Sequence, residues 1–453
     1  MNMLNKIEDR TAAICIIGLG YVGLPTAIFF AEKGFLVNGA DIDEAKVSRI
    51  NDGGPVFEEL GITDRLGKVL KNKSLSATTD IRGAVAKSDI ILVTVPTPIT
   101  KNKEPDLGCV ISASRSISAG LRKGHLVVLE STTYPGTTEE VMQPILEGTR
   151  LKAGIDFGLA YCPERYNPGD MEHTLDRVPR VVGGITPEWA EITRALYSTI
   201  IQEKVTVLRN IRTAEAAKIV ENIQRDLNIA LVNEFALIFD RMDIDVMEVL
   251  DAASTKWNFV KFKPGPGVGG HCLPVDPYYL THKARELGYY PRLILAGRAI
   301  NDQMAEHVVK LAVDGLNAAG KSVSGSRIAI LGLAYKANTG DIRESPSERV
   351  IAHLAKMKAD LALHDPLVSR GDCERHFSLP NLSITDALDD ADCIIHMVNH
   401  DTTRPGISLN ELTKIVKPGC VIVDTQYIFQ PEETAGAGFI YRGIGRRSRD
   451  ERP

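Results

Sequence analysis

Residues 264–280 read PGPGVGGHCLPVDPYYL, and within them Cys272 stands as a candidate nucleophile. Glycine and proline crowd the approach to Cys272, so the chain enters it as an irregular loop. CLPVDPYYL then reads as the start of a helix, with prolines tolerated in its first turn. A thiol at a helix N-terminus is favoured as thiolate by the dipole and the adjacent N–H groups. If 272–276 is one helical turn, Asp276 shares a face with Cys272. Such a pair suits covalent catalysis, with a nucleophile and a carboxylate one turn away. A single cysteine in a long chain is more often a small buried apolar residue, and the other six read that way or carry no signal. Cys15, Cys393 and Cys420 lie in or beside apolar strands, Cys162 beside Glu164 reads as packing, and Cys109 and Cys373 stand in no suggestive context. His271 adjoins Cys272, but neighbouring side chains point in different directions, which disfavours it as the general base.

A second constellation is G-x-G-x-x-G, formed by Gly18, Gly20 and Gly23 between an apolar strand and a helix. The first glycine allows a tight turn, the second a close approach of backbone to a pyrophosphate, the third close packing of helix on strand. The phosphates then meet the helix N-terminus, where unpaired N–H groups and the dipole favour negative charge. Alone the motif is weak. Here Asp41 ends the next strand about 20 positions on, where a carboxylate accepts the ribose hydroxyls and repels a 2′-phosphate, so NAD is expected over NADP. Asp43 reads instead as a helix cap.

Three further positions could serve the chemistry. Lys218 and Asn222 lie four apart on one face of a long helical segment, AEAAKIVENI, apolar enough to put the lysine at a boundary rather than in full solvent. Glu164 ends FGLAYCPE and Thr132 ends LVVLEST, at the carboxyl ends of strands, where open α/β sheets bind ligands.

The elements that must position these groups follow from pattern. Short apolar runs at Ala12–Ile17, 36–43, 89–96, 125–132 and 157–164 alternate with amphipathic segments, as a parallel sheet covered on both faces requires. Residues 1–205 are expected to be an NAD-binding Rossmann domain. From 212 to 242 runs a helical segment without Pro or Gly, about 30 residues that at about 1.5 Å each make a connecting rod; it opens a central helical domain, 206–318, that carries the cysteine loop. A second α/β pattern begins at RIAILGLAY and gives a Rossmann-like domain over 319–436. The Gly- and Arg-rich segment 437–453 is expected to be poorly ordered. The fold class is therefore α/β, with two doubly wound, Rossmann-like parallel sheets joined by a long central helix and a helical dimerisation region.

Composition restricts the rest. Of 453 residues 44% are hydrophobic and 25% charged, with a net charge of −5, which argues against a nucleic-acid binder. Seven scattered cysteines without CxxC spacing indicate neither a metal site nor a disulfide framework, and reduced thiols suit a cytoplasmic protein. No apolar run suggests a membrane segment. The long helix is apolar over more of its face than one domain contact needs, so a homodimer through 210–310 is expected, with a higher oligomer left open.

IGLGYVGLPTA, VTVPTP, ESTTYPGT, CPERYNPG, AEAAKIVEN, VGGHCLPVDPYYL and GLAYKANTGDIRESPS occur in that order. With these seven motifs the chain resembles the UDP-glucose/GDP-mannose dehydrogenase family over about residues 10–430. The resemblance implies an NAD-dependent, four-electron oxidation of a sugar C6 alcohol through a thiohemiacetal and a thioester on Cys272. It implies oxyanion stabilisation by Lys218 and Asn222, and proton handling and water positioning by Asp276, Glu164 and Thr132. It assigns the cofactor to Gly18, Gly20, Tyr21, Val22, Gly23, Asp41, Thr97, Thr132 and Arg343. The UDP-sugar falls to Glu164, Arg165, Lys218, Asn222, Gly269 and Lys336. CPER, AASTKWNF and KPGPGVGGHC resemble the branch acting on UDP-N-acetylhexosamines, for surface polysaccharide; UDP-N-acetyl-D-glucosamine is the first expectation, the galactosamine and mannosamine epimers and UDP-glucose the alternatives. One departure is DTQ, where a basic residue is usual near Gln426. Outside the family, a two-electron hydroxyacid-type dehydrogenase and a catalytically silent nucleotide-sugar sensor compete; neither explains Cys272 together with Lys218, Asn222, Asp276 and Glu164.

Overall fold

A computed structural model describes residues 2–54, 61–166, 174–401 and 408–446. The chain forms two compact units, Met1–Asn222 with Tyr278–Tyr290, and Ile223–Pro277 with Pro291–Pro453. This differs from the three-segment expectation, because the units part inside the long helix Ile211–Met242.

The first unit is built on one sheet with strands β1 Ala13–Ile17, β2 Leu36–Ala40, β3 Leu75–Thr78, β4 Ile90–Val93, β5 Leu126–Leu129, β6 Gly158–Tyr161, β7 Arg180–Gly184 and β8 Val205–Val207. Their order is β3-β2-β1-β4-β5-β6-β7-β8, with every described pairing parallel except β6 with β7. IILV of β4 and LVVL of β5 are wholly buried, as strands with helices on both faces must be. The order reverses between β1 and β4, the switch point at which such sheets bind ligands. Two expectations shift in detail. The strand of FGLAYCPE stops at Tyr161, leaving Glu164 in the segment beyond it, and β3, β7 and β8 were not anticipated.

In the second unit the strands are β9 Arg327–Leu331, β10 Asp360–His364, β11 Cys393–His396, β12 Val421–Asp424 and β13 Ile440–Gly443. Their order is β10-β9-β11-β12-β13, all parallel. The helices Val246–Ser254 and Arg292–Ala318 belong to this unit, the latter packing on β12 and β13. The segment expected to be poorly ordered is corrected here: through 446 it is structured. β13 extends the sheet, Tyr441 and Ile444 are buried, the Tyr427 hydroxyl donates to the Ile444 carbonyl at 2.9 Å, and Arg446 Nε donates to Asp245 at 2.7 Å. Residues 447–453 lie outside the described residues. Among the described residues no helix is long and apolar enough to cross a membrane.

Candidate active site

The glycine loop takes the form its residues demand. Gly18 has φ +95°, and a Cβ there would stand 2.8 Å from the Thr94 carbonyl. A Cβ on Gly23 would collide with the Gly18 carbonyl, whose oxygen already accepts the Thr94 hydroxyl at 2.7 Å. Above Gly20 there is open space, and helix Gly23–Glu32 starts three residues later. Asp41 follows β2; its Oδ2 accepts Leu19 N at 2.8 Å and Lys46 Nζ at 2.7 Å, and its Oδ1 accepts Asp43 N at 3.0 Å. Burial opposes ionisation of Asp41, but Lys46 and the two N–H donors outweigh it and hold the carboxyl below its usual range. Asp43 is the N-cap of Glu44–Asn51, accepting from Lys46 N. Open backbone at Gly20, a helix start and an ionised carboxylate at the strand end fit NAD. Half-buried Tyr21 and Val22 lie in the same loop, and half-buried Thr97 follows β4.

Thr132 and Glu164 follow β5 and β6, which are neighbours in the sheet. Two tethers tie the long helix to these segments. Glu215 is buried and accepts from Gly136 N at 2.5 Å, Thr138 N at 2.9 Å and the Thr138 hydroxyl at 2.7 Å. Arg165 grips Glu221 in a two-pronged pair, Nε to Oε2 at 3.1 Å and NH2 to Oε1 at 2.7 Å, and donates to the Pro179 carbonyl at 2.8 Å. Glu215 and Glu221 bracket Lys218, so the turn carrying Lys218 and Asn222 is pinned at both sides to the loops carrying Thr132 and Glu164. Lys218 is only 8% exposed, against the solvated position usual for a helical lysine. Arg165, expected at the sugar, has its guanidinium engaged in this pinning.

Glu164 is itself clamped in a way sequence reasoning missed. Its Oε1 accepts the N–H groups of Arg165 and Tyr166, each at 2.7 Å, and its Oε2 accepts the guanidinium of Arg180. Arg180 is buried, as are Glu130 and Tyr197 behind it. A charge placed at the end of an apolar run, as Glu130 is in LVVLEST, is the one signal that could have pointed to this cluster.

The second unit gathers another set. Helix Asp276–Glu286 begins at Asp276, not at Cys272; the preceding residues form a turn in which Asp276 N donates to the Cys272 carbonyl at 2.8 Å. Cys272 is exposed and Asp276 is 3% exposed. Cys15, Cys162, Cys373, Cys393 and Cys420 are buried, and burial pushes their thiols up, to about 12 for Cys15 and Cys420 and about 11 for Cys373, which keeps them protonated. Cys109, in the first turn of Gly108–Ser118, is also exposed. The loop before Cys272 is fastened at both ends. Gly265 N donates to Asn233 Oδ1 at 2.9 Å, and Cβ atoms on Gly269 and Gly270 would stand 2.7 Å from the Glu344 carbonyl and from the Tyr335 ring. His271 Nε2 lies 3.5 Å from Asp341, whose carboxylate also takes Arg343 Nε at 2.8 Å and NH2 at 2.7 Å. Lys336 lies 5.5 Å from the centre of the Tyr335 ring. Cys272, Gly269, Lys336 and Arg343 therefore belong to one loop cluster. Gln426, where a basic residue was missed, turns its amide to the Met397 carbonyl at 2.6 Å.

Comparison with known proteins covers almost the whole chain. The UDP-glucose/GDP-mannose dehydrogenase family, NAD binding domain, matches residues 12–201; its central domain matches 212–303 and its UDP binding domain 329–431. The chain is 41% identical to a UDP-N-acetyl-D-glucosamine 6-dehydrogenase of Pseudomonas aeruginosa over 93% of this chain and 98% of that protein. A solved UDP-D-ManNAc dehydrogenase of Pyrococcus horikoshii superposes with a TM-score of 0.87 at 34% identity, covering 96% of this chain and 99% of that one. An NDP-N-acetyl-D-galactosaminuronic acid dehydrogenase of Methanosarcina mazei Go1 gives 0.81 at 31%, with both chains fully covered.

Proposed function

The chain belongs to the UDP-glucose/GDP-mannose dehydrogenase family and is an NAD-dependent UDP-sugar dehydrogenase, and we propose that it oxidises the C6 alcohol of UDP-N-acetyl-D-glucosamine to the carboxylate through Cys272. The observation that carries this reading is the exposed Cys272, which follows a glycine loop and whose carbonyl accepts the backbone N–H of the buried Asp276, while five other cysteines are buried thiols. The 41% identity to a UDP-N-acetyl-D-glucosamine 6-dehydrogenase supports that sugar over its epimers.

NAD, held by the loop Gly18–Gly23 with Asp41, Thr97, Thr132 and Arg343, supplies the hydride acceptor for two successive oxidations. The Cys272 thiolate adds to the C6 aldehyde carbon and forms a thiohemiacetal, whose oxygen carries the developing charge. Lys218 and Asn222, one turn apart, stabilise that oxyanion. Loss of a hydride from the thiohemiacetal leaves a thioester, and attack of water on its carbonyl releases the carboxylate and regenerates the thiol. Asp276 and Glu164 move the protons, and Thr132 helps to place the water. Gly269 and Lys336 contact the UDP-sugar, and Arg165, its guanidinium committed to Glu221 and the Pro179 carbonyl, borders the sugar pocket. Exposed Val220, Leu231, Ile238 and Met242 along the long helix support a homodimer through this region, and the product feeds surface polysaccharide synthesis in the cytoplasm.

The test is NADH formation with UDP-GlcNAc, UDP-GalNAc, UDP-ManNAc and UDP-glucose in parallel. The expected result is turnover of UDP-GlcNAc with about two NADH per sugar, abolished in Cys272→Ala and kept in Cys109→Ala. One NADH per sugar, or turnover that survives Cys272→Ala, would defeat the covalent route. Turnover confined to another sugar would move the substrate and leave the chemistry.

A further inference from the structure

The buried clamp on Glu164 bears on how that carboxylate works, and the inference drawn from it rests on the role proposed for Glu164 above. Arg180 opens β7, Glu130 follows β5, Glu164 follows β6, and Tyr197 ends helix Pro187–Tyr197. Three other parts of the chain thus converge on one guanidinium with no exposed surface. One of its amino groups donates to Glu164 Oε2. The other donates to the Pro163 carbonyl at 3.1 Å and reaches Glu130 Oε2 only at 3.4 Å. Glu130 takes the Tyr197 hydroxyl on its other oxygen at 2.6 Å. Burying an arginine is costly unless it is paired and hydrogen-bonded, and apolar residues would fill the same volume at no loss of stability. The arrangement is also unequal: Arg180 is committed to Glu164 and only loosely to Glu130.

We infer that Arg180 is a positioning residue that fixes the Glu164 carboxylate for proton transfer and thioester hydrolysis, and that Glu130, steadied by Tyr197, sets how firmly it does so. Among the described residues, Arg180, Glu164, Tyr197 and the buried thiol of Cys162 are the titratable groups that act on Glu130. Burial pushes the Glu130 carboxyl up to about 7, with Glu164 adding to the rise and Arg180 opposing it. Below that pH Glu130 is neutral and the guanidinium serves Glu164 alone. Above it, Glu130 becomes a second anion competing for the same cation.

The experiment uses the full-length enzyme with NAD and the UDP-sugar it turns over. Glu130→Gln, Glu164→Gln and the double variant Arg180→Met with Glu130→Gln are compared for kcat, KM and pH profile. The double variant removes one positive and one negative charge together, so Glu164, still held by the N–H groups of Arg165 and Tyr166, is the one carboxylate of the cluster left without the guanidinium. Its fold is checked by circular dichroism and NAD titration. The expected result is a folded, NAD-binding double variant whose kcat falls by about 100-fold, with KM for the sugar little changed. Acyl-enzyme on Cys272 should accumulate, seen as a mass increment in acid-quenched protein. The parent kcat should show an inflection near neutral pH, and Glu130→Gln should lose it. A folded double variant with parent kcat and no accumulating acyl-enzyme, beside a crippled Glu164→Gln, overturns the inference alone. Full turnover by Glu164→Gln overturns the role of Glu164 and the inference with it.

Discussion

The chain builds the same strand–turn–strand device twice, and the two copies differ in what they leave open. In the first unit Gly18 turns with φ +95°, and the next residue, Leu19, donates its N–H to Asp41 at the end of β2. In the second, Gly332 turns with φ +87°, and Leu333 N and Ala334 N donate to Asp365 Oδ2, after β10, at 2.7 and 3.0 Å. There the likeness ends. Gly20 has empty space above it, whereas its counterpart Ala334 is buried and Tyr335 lies against Gly270. Asp41 is balanced by a half-buried lysine, Lys46. Asp365 is sealed by His400, whose Nδ1 accepts Asn338 N at 3.0 Å and whose Nε2 lies 3.1 Å from the carboxylate. The first copy keeps open space at Gly20 and an ionised carboxylate at the strand end, as a dinucleotide cradle needs. The second has closed that space and uses the turn as a joint onto which the cysteine loop is packed.

Changes that exchange these properties test the comparison. The largest effect expected is at the sealed copy. His400→Ala leaves a buried carboxylate short of a charge-assisted hydrogen bond, at about 3 kcal/mol, read as a lowered urea midpoint while NAD affinity is kept. Acid should act on the same group. Burial disfavours the Asp365 carboxylate, but His400 and the N–H donors prevail and hold its folded pKa below the unfolded one. That stability is present above the unfolded value of about 4 and is lost as pH falls through the folded one. Unfolding midpoints that fall no further in the parent than in Asp365→Asn as pH drops would contradict this. At the open copy, Gly23→Ala forces the Gly18 carbonyl aside and should weaken NAD by about 100-fold in a fluorescence titration, with UDP binding unaltered. An unchanged NAD affinity would mean the loop is not the cradle. The smallest effect is Lys46→Met, a partly exposed pair worth under about 1 kcal/mol, which should barely move the melting temperature.

Much of this organisation was legible beforehand, and the reasons are physical. GLGYVG, Asp41 and the strands β1, β2, β4 and β5 declare themselves because a sheet buried on both faces needs nearly continuous apolar runs. Cys272 stood out because glycine and proline around it exclude packing as a strand. What escaped lies in tertiary partners. Arg180 and Glu130 are 50 residues apart, so Arg180 alone reads as a surface charge and the apolar run before Glu130 does not name its partner. β7, RVVGG, is short and pairs antiparallel at one side, outside the repeating pattern. IYRG of β13 looks like tail because its order comes from β12 and from the Arg446–Asp245 pair rather than from its own composition. The helix start at Asp276 was misplaced by one turn because a preceding turn and a helix share the same proline tolerance.

Gly269 and Gly270, the two glycines nearest to Cys272, have no room for side chains because Tyr335 and Glu344 occupy it. For anyone wishing to graft another nucleophile loop onto this scaffold, 264–271 is therefore not a separable cassette. A chimaera must import residues 335 and 344 along with the loop, because a loop with any bulk at 269 or 270 would be pushed off its seat and carry the thiol with it.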